Sequence, residues 1–241
     1  MAMMRTANPA LNKNTFAVRG YTGSQAMTIQ GTVNKTGILL AITIIAASYT
    51  WSNPVGMLMP AGVIGGLIFA IITIFKKQWA PVTAPLYALC EGLFLGGISA
   101  IFNARYPGIV SNAVFLTFGT LFALLIAYKT GLIKATENFK LGVVAATGGI
   151  CMMYFISFIL SFFGVGIPYI HGSGPIGIGV SVVVVIVAAL NLVLDFDFIE
   201  QGAAAGVPKF MEWYAGFGLL VTLIWLYLEI LRLLSKLQSR R

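Results

Sequence analysis

The chain has 241 residues, of which 59% are hydrophobic and only 9% charged. A soluble domain carries about 25% charged residues, so this composition cannot cover a water-facing surface. The net charge of +8 forms no basic patch. The lysines and arginines lie at the ends of apolar blocks, as in a membrane protein, which removes nucleic acid as the reading of that charge.

Residues 1–35 are polar and rich in Asn, Thr and Gly. They lack the short apolar core of a signal peptide, so an uncleaved tail, mobile or interface-lying, is expected. Seven apolar blocks follow, over 36–52, 57–75, 82–102, 111–128, 141–163, 174–199 and 214–235. Each approaches or exceeds the ~18–20 residues that cross a bilayer core as helix. The runs are continuous rather than alternating, which argues against a β-barrel. The predicted fold is an all-α integral membrane protein of about seven transmembrane helices. It comprises a single membrane domain over 36–235 and a basic tail over 236–241. No room remains for a soluble catalytic domain, and no enzyme activity is expected.

The second block carries Gly62 and Gly66, and the third Gly92 and Gly96. Such small-xxx-small pairs let helix backbones approach closely in lipid, so helix packing is their expected role. Lys76 and Lys77 end the second block. Cys90 in the third and Cys151 in the fifth are expected to be buried thiols that behave as small hydrophobes. No Cys/His spacing suits a metal, and His171, the single histidine, is placed in a solvated loop before the sixth block. Gly174, Gly177 and Gly179 line one end of that block, with Pro175 in its first turn, where a missing N–H costs nothing.

Orientation follows from the basic residues. With the N-terminus inside, Arg5, Lys13, Arg19, Lys35, Lys76, Lys77, Lys129, Lys134, Lys140 and Lys209 lie on the cytoplasmic side, and the first outer loops hold Arg105. Seven full crossings then place Arg232, Lys236, Arg240 and Arg241 outside. A re-entrant seventh block would return them to the cytoplasm and improve the charge bias. That block is nevertheless long enough to span, and early segments dominate orientation. Seven crossings are therefore retained.

Seven acids exist. Glu137, Glu200 and Glu212 lie in or near loops, where solvation accounts for them. Glu91, Asp195, Asp197 and Glu229 fall inside apolar blocks, where a charge costs at least ~2.5 kcal/mol. Acids there usually face the bundle interior and mark ion or proton pathways. Each also has a structural reading. Arg232 lies three residues beyond Glu229 on the same helical face and forms an ion pair with it in that reading. Asn191 lies one turn before Asp195, giving a short polar stripe. Asp195 and Asp197 point about 200° apart on a straight helix, so one of them faces a given site and Asp197 can reach the cytoplasmic interface. Glu91 either hydrogen-bonds a neighbouring helix in its neutral form or belongs to the pathway.

The run Asn191-Leu-Val-Leu-Asp195-Phe-Asp197-Phe-Ile-Glu200, followed by Trp225-Leu-Tyr227-Leu-Glu229-Ile-Leu-Arg232, resembles the last two helices of the Bax-inhibitor (transmembrane Bax inhibitor motif) family. Tyr87-Ala-Leu-Cys-Glu91-Gly92-Leu-Phe-Leu-Gly96 is similar to that family's third helix. The opening, Asn8-Pro-Ala-Leu-Asn12 and Ala26-Met-Thr-Ile-Gln30-Gly31-Thr, resembles a bacterial branch. The resemblance spans essentially the whole chain. It implies a central last helix surrounded by the other six, and a pH-sensitive calcium leak controlled by carboxylates on the sixth and seventh helices. Asp195 and Glu229 would be those carboxylates and calcium's oxygen ligands. Lys76 and Lys77 would form a latch toward the acids, with Glu91, Asn191 and Arg232 in support. Glu229 replaces the family's Asp, which lengthens its reach, and the segment from Gly202 to Trp213 is longer than in familiar members.

Three functional readings follow. The first is a calcium-permeable leak channel in which two close carboxylates share a proton, since both do not readily ionise in a poorly solvated site. The second is a proton-coupled carrier of a small solute. The third is a non-transporting membrane modulator of a protease or another partner. No covalent cofactor is expected, only calcium and protons as ligands. The expected location is a bacterial inner membrane, with the N-terminus cytoplasmic.

Overall fold

A computed structural model describes residues 26–52, 56–164 and 172–240. Seven helices account for almost all of them: α1 (Ile29–Trp51), α2 (Leu58–Phe75), α3 (Ala80–Arg105), α4 (Ile109–Lys129), α5 (Glu137–Phe162), α6 (Pro175–Ala204) and α7 (Met211–Gln238). All seven are long and apolar enough to cross a membrane. A short 3₁₀ turn, Lys77–Trp79, joins α2 to α3. Among the described residues no strand forms, only an isolated antiparallel bridge between Ala26 and Pro208.

Each expected block is found as a helix, and the differences lie at the ends. α1 starts at Ile29, inside the stretch read as tail, because Thr28 caps it: the Thr28 hydroxyl accepts the Gly31 N–H at 2.9 Å. Thr136 caps α5 in the same way through the Phe139 N–H, so that helix takes in Glu137 and Lys140. α6 starts at Pro175 as expected and continues to Ala204. Gly206, at φ +63°, then ends it. Its N–H reaches the Ala203 carbonyl and that of Val207 reaches Gly202, which satisfies two of the last acceptors of the helix. α7 runs unbroken over 28 residues, as a crossing does and a re-entrant hairpin does not. It includes Lys236, which the sequence assigned to the basic tail.

The chain forms two compact units. One contains 9–107 and 195–221. Within it α1 and α2 both pack on α3. The glycine pairs make this possible. A Cβ on Gly62 would lie 2.6 Å from the Cys90 carbonyl oxygen, and one on Gly92 would lie 2.7 Å from the Ala46 Cβ. One on Gly96 would collide with Ala47 and Thr50. Threonines stitch the same helices. Thr43 donates to Leu39 in its own helix and to Ala88 on α3, while Thr73 meets Thr83 hydroxyl to hydroxyl at 2.7 Å. In lipid, where no water is available, such back-bonding keeps hydroxyls satisfied.

The other unit contains 108–194 and 222–241, hence α4, α5, α6 as far as Leu194, and α7 from Thr222. Ile150, Val184 and Val187 form its buried cluster, with Met153, Tyr154, Val180 and Trp225 packed against them. Large apolar side chains remain exposed along the helices of both units, among them Ile45, Leu67, Phe115, Phe155 and Phe162. Lipid is the solvent that such surfaces match.

Candidate functional site

The last third of α7 carries its charged residues on one face. Glu229, Arg232 and Lys236 recur there at intervals of three and four residues, which is helical spacing. Glu229 is only 2% exposed. The Arg232 guanidinium lies 2.9 Å from one of its carboxylate oxygens and 3.1 Å from the other, both through Nη1. This is the internal ion pair that the three-residue spacing allowed. Arg232 keeps 39% of its side chain exposed while its partner is buried, so the charge reaches outward along an apolar stem.

A third residue completes the arrangement. Tyr154 comes from α5, and its hydroxyl donates to both Glu229 oxygens, at 3.0 and 3.1 Å. The same hydroxyl oxygen accepts from Arg232 Nη1 at 2.6 Å. The guanidinium also lies 5.2 Å from the tyrosine ring centroid, within cation–π range. The Glu229 carboxylate is thus held within its own helix by a cation and across to α5 by a phenol. No spacing rule ties Tyr154 to residues 75 and 78 positions away, and sequence reasoning missed it.

One turn beyond Arg232, Lys236 is 5% exposed. Its ammonium donates to the Gly177 carbonyl at 3.0 Å and to the Ser181 hydroxyl at 2.8 Å, both in the opening turns of α6. Expected in the basic tail, Lys236 instead ties the end of α7 to the beginning of α6. Asn191 is buried on α6, and its amide donates to Thr147 on α5 and to its own helix at Val187, each at 2.8 Å. Its role in this unit is to join α5 and α6.

In the other unit, Asp195 is 1% exposed. Asp197, on another face of α6, is half-buried and accepts from Gln201 one turn on, at 2.5 Å. Of the two, Asp195 is the buried acid. Lys76 is exposed at the end of α2, and Lys77 places its ammonium 5.8 Å from the Tyr214 ring centroid. Glu91 is half-buried on α3, where Gly66 of α2 makes room for it: a Cβ there would lie 2.7 Å from a Glu91 oxygen. Among the described residues, no three His, Cys, Asp or Glu side chains gather as a metal ligand set does.

Two expectations are corrected. Glu212 does not rely on solvation, being 1% exposed. Its carboxylate accepts the Thr28 N–H at 3.1 Å and the Thr28 hydroxyl at 3.0 Å, and it fills the space beside Gly31. It stands in the first turn of α7 and at the start of α1, so one negative charge serves two helix N-termini. Its place just inside a helix start was the available signal. Cys151 is exposed on α5 rather than buried, while Cys90 is half-buried with its sulfur against Gly65. His171, Arg5, Lys13, Arg19 and Arg241 lie outside the described residues.

No curated protein and no solved structure matches this chain. A family profile does, that of the Bax inhibitor 1 like proteins, over residues 8–239. With seven membrane-length helices and a match over nearly its whole length, the chain belongs to the Bax inhibitor 1 like family.

Proposed function

We propose that this protein is a proton-sensitive calcium leak channel, controlled by the buried carboxylates Asp195 on α6 and Glu229 on α7. The observation that carries this reading is Glu229, 2% exposed in an apolar helix and held by hydrogen bonds from another helix and an ion pair in its own. A carboxylate in a membrane span is costly and is found mainly where ions or protons pass. Its oxygens suit a hard cation such as calcium. In this reading the ion is cargo rather than a resident metal, and no catalytic step is involved. The membrane is a bacterial inner membrane, with the N-terminus on the cytoplasmic side.

Purified protein in liposomes loaded with a calcium indicator tests the proposal. Calcium flux and its pH response are expected to change in Asp195→Asn and in Glu229→Gln. If both variants conduct like the parent at every pH, the carboxylate mechanism is wrong. The closure of Glu229 by Arg232 and Tyr154 favours a second reading, a non-transporting membrane protein whose acids serve stability. That reading expects no flux from the parent, and lower melting temperatures for the amide variants.

A further inference from the structure

Past Arg232, the polar face of α7 ends in two ties to the beginning of α6. The Lys236 ammonium donates to the Gly177 carbonyl at 3.0 Å and to the Ser181 hydroxyl at 2.8 Å, and the Ser239 hydroxyl donates to that of Ser173 at 2.7 Å. Neutral oxygens such as the first two, a backbone carbonyl and a hydroxyl, are groups that line cation paths through membranes and suit a hard cation. A neutral donor would satisfy them as well. A full charge is the costlier choice. Gly177 lies in the first turn of α6, where the helix dipole favours an anion, and Arg232 stands four residues back on the same face of α7. Joining two helices does not by itself account for the charge of Lys236.

We propose that Lys236 is a tethered cation that plugs this end of the α6–α7 seam: its ammonium takes the oxygen site that a passing cation would enter, and its charge turns others away. The inference rests on the leak reading above where ion flux is concerned. From Pro175 to Leu194, α6 has no charged side chain and contributes no charge to the seam. On α7, Lys236 lies seven residues beyond Glu229, about 10 Å along the helix at ~1.5 Å per residue. A cation moving toward Glu229 from the end where α7 stops meets Lys236 first. Arg232, next on that face, has its charge engaged by the Glu229 carboxylate. Gly177 and Ser181 offer neutral oxygens, and neither cancels the charge of Lys236. Fixed charges in a cleft with low-dielectric walls change local ion concentrations by roughly 10- to 1000-fold. Lys236 is thus a specificity-determining residue of the leak, set against cations and most of all against divalent ones.

The test uses the full-length chain in liposomes, with Cys90 and Cys151 replaced by Ser and with Ser181→Cys as a reporter. The Gly177 carbonyl still holds Lys236 in this parent. Reaction of the reporter thiol is followed with a cationic trimethylammonium-ethyl methanethiosulfonate and with its anionic sulfonatoethyl counterpart. Calcium flux is recorded for the same variants without the Ser181 change. Lys236→Met keeps the length of the side chain without its charge, and Lys236→Arg keeps the charge. The cationic reagent is expected to react slowly in the parent and about tenfold faster or more in Lys236→Met. The slow rate should return in Lys236→Arg, and the anionic reagent should gain less from Lys236→Met. Equal cationic rates with Lys, Met and Arg at this position overturn the plug. So does an equal gain for both reagents, which marks loosened packing rather than a lost charge. Calcium flux should rise along with the cationic rate. A selective gain for the cationic reagent in a protein that passes no calcium upholds the plug and sinks the leak reading. Should Lys236→Met fail to fold, Lys236→Gln decides alone: a cationic rate no faster than the parent's overturns the proposal.

Discussion

Glu212 and Glu229 are two acids on one helix, both nearly inaccessible, and they are satisfied in different ways. Glu229 has a cation and a phenol. Glu212 has an N–H and a hydroxyl from a single residue, Thr28, and no cation pairs with it among the described residues. The sequence separates them poorly. The partner of Glu229 in its own helix was legible from three-residue spacing, while Tyr154 and Thr28 lie far away along the chain, where no periodicity points. Removing the Glu212 carboxylate leaves the Thr28 N–H beside a hole. Glu212→Ala is expected to lower stability by about 1–3 kcal/mol, the usual cost of a buried group left unpaired. Thermal unfolding in detergent checks this, with Thr28→Ala expected to give a smaller loss because the backbone donor remains.

At the level of helices, continuous apolar runs are a strong signal because the bilayer imposes their length. All seven blocks were therefore recognisable. Their ends were not, since capping by Thr28 and Thr136 lets polar residues enter α1 and α5 without an apolar pattern to announce them. The glycine pairs were legible as packing devices, and the contacts give them partners: Gly62 and Gly66 of α2 meet α3, while Gly92 and Gly96 of α3 meet α1. Their costs should differ from that of a glycine with open space beside it. Gly96→Leu forces α1 away from α3 and is expected to cost about 1–3 kcal/mol, the range for overpacking. Gly148→Leu, where a Cβ meets nothing within 4 Å, should be tolerated. Comparison of the two melting curves checks the assignment.

For the whole molecule, an odd number of crossings puts the two ends of the chain on opposite sides of the membrane. The basic residues after Glu229 made this uncertain in the sequence, because they favour the same side as the N-terminus. The structure resolves part of that conflict by position. Arg232 and Lys236 are not tail charges at all: one is paired with Glu229 and the other is buried against α6. Charges engaged inside the protein are weak topological signals, so their weight in the side-to-side count falls. Reporter fusions active on one side of the membrane are expected to read opposite sides at the N- and C-termini. The same reading from both ends would require a re-entrant α7.

The tie between Thr28 and Glu212 also bears on how the protein is made. The two residues are 184 positions apart. At ~5–20 residues per second, a ribosome needs roughly 9 to 37 s to travel from one to the other. Through that interval the Thr28 N–H lacks the carboxylate that later receives it. The N-terminus of α1 is thus completed by a residue made much later, in the first turn of α7.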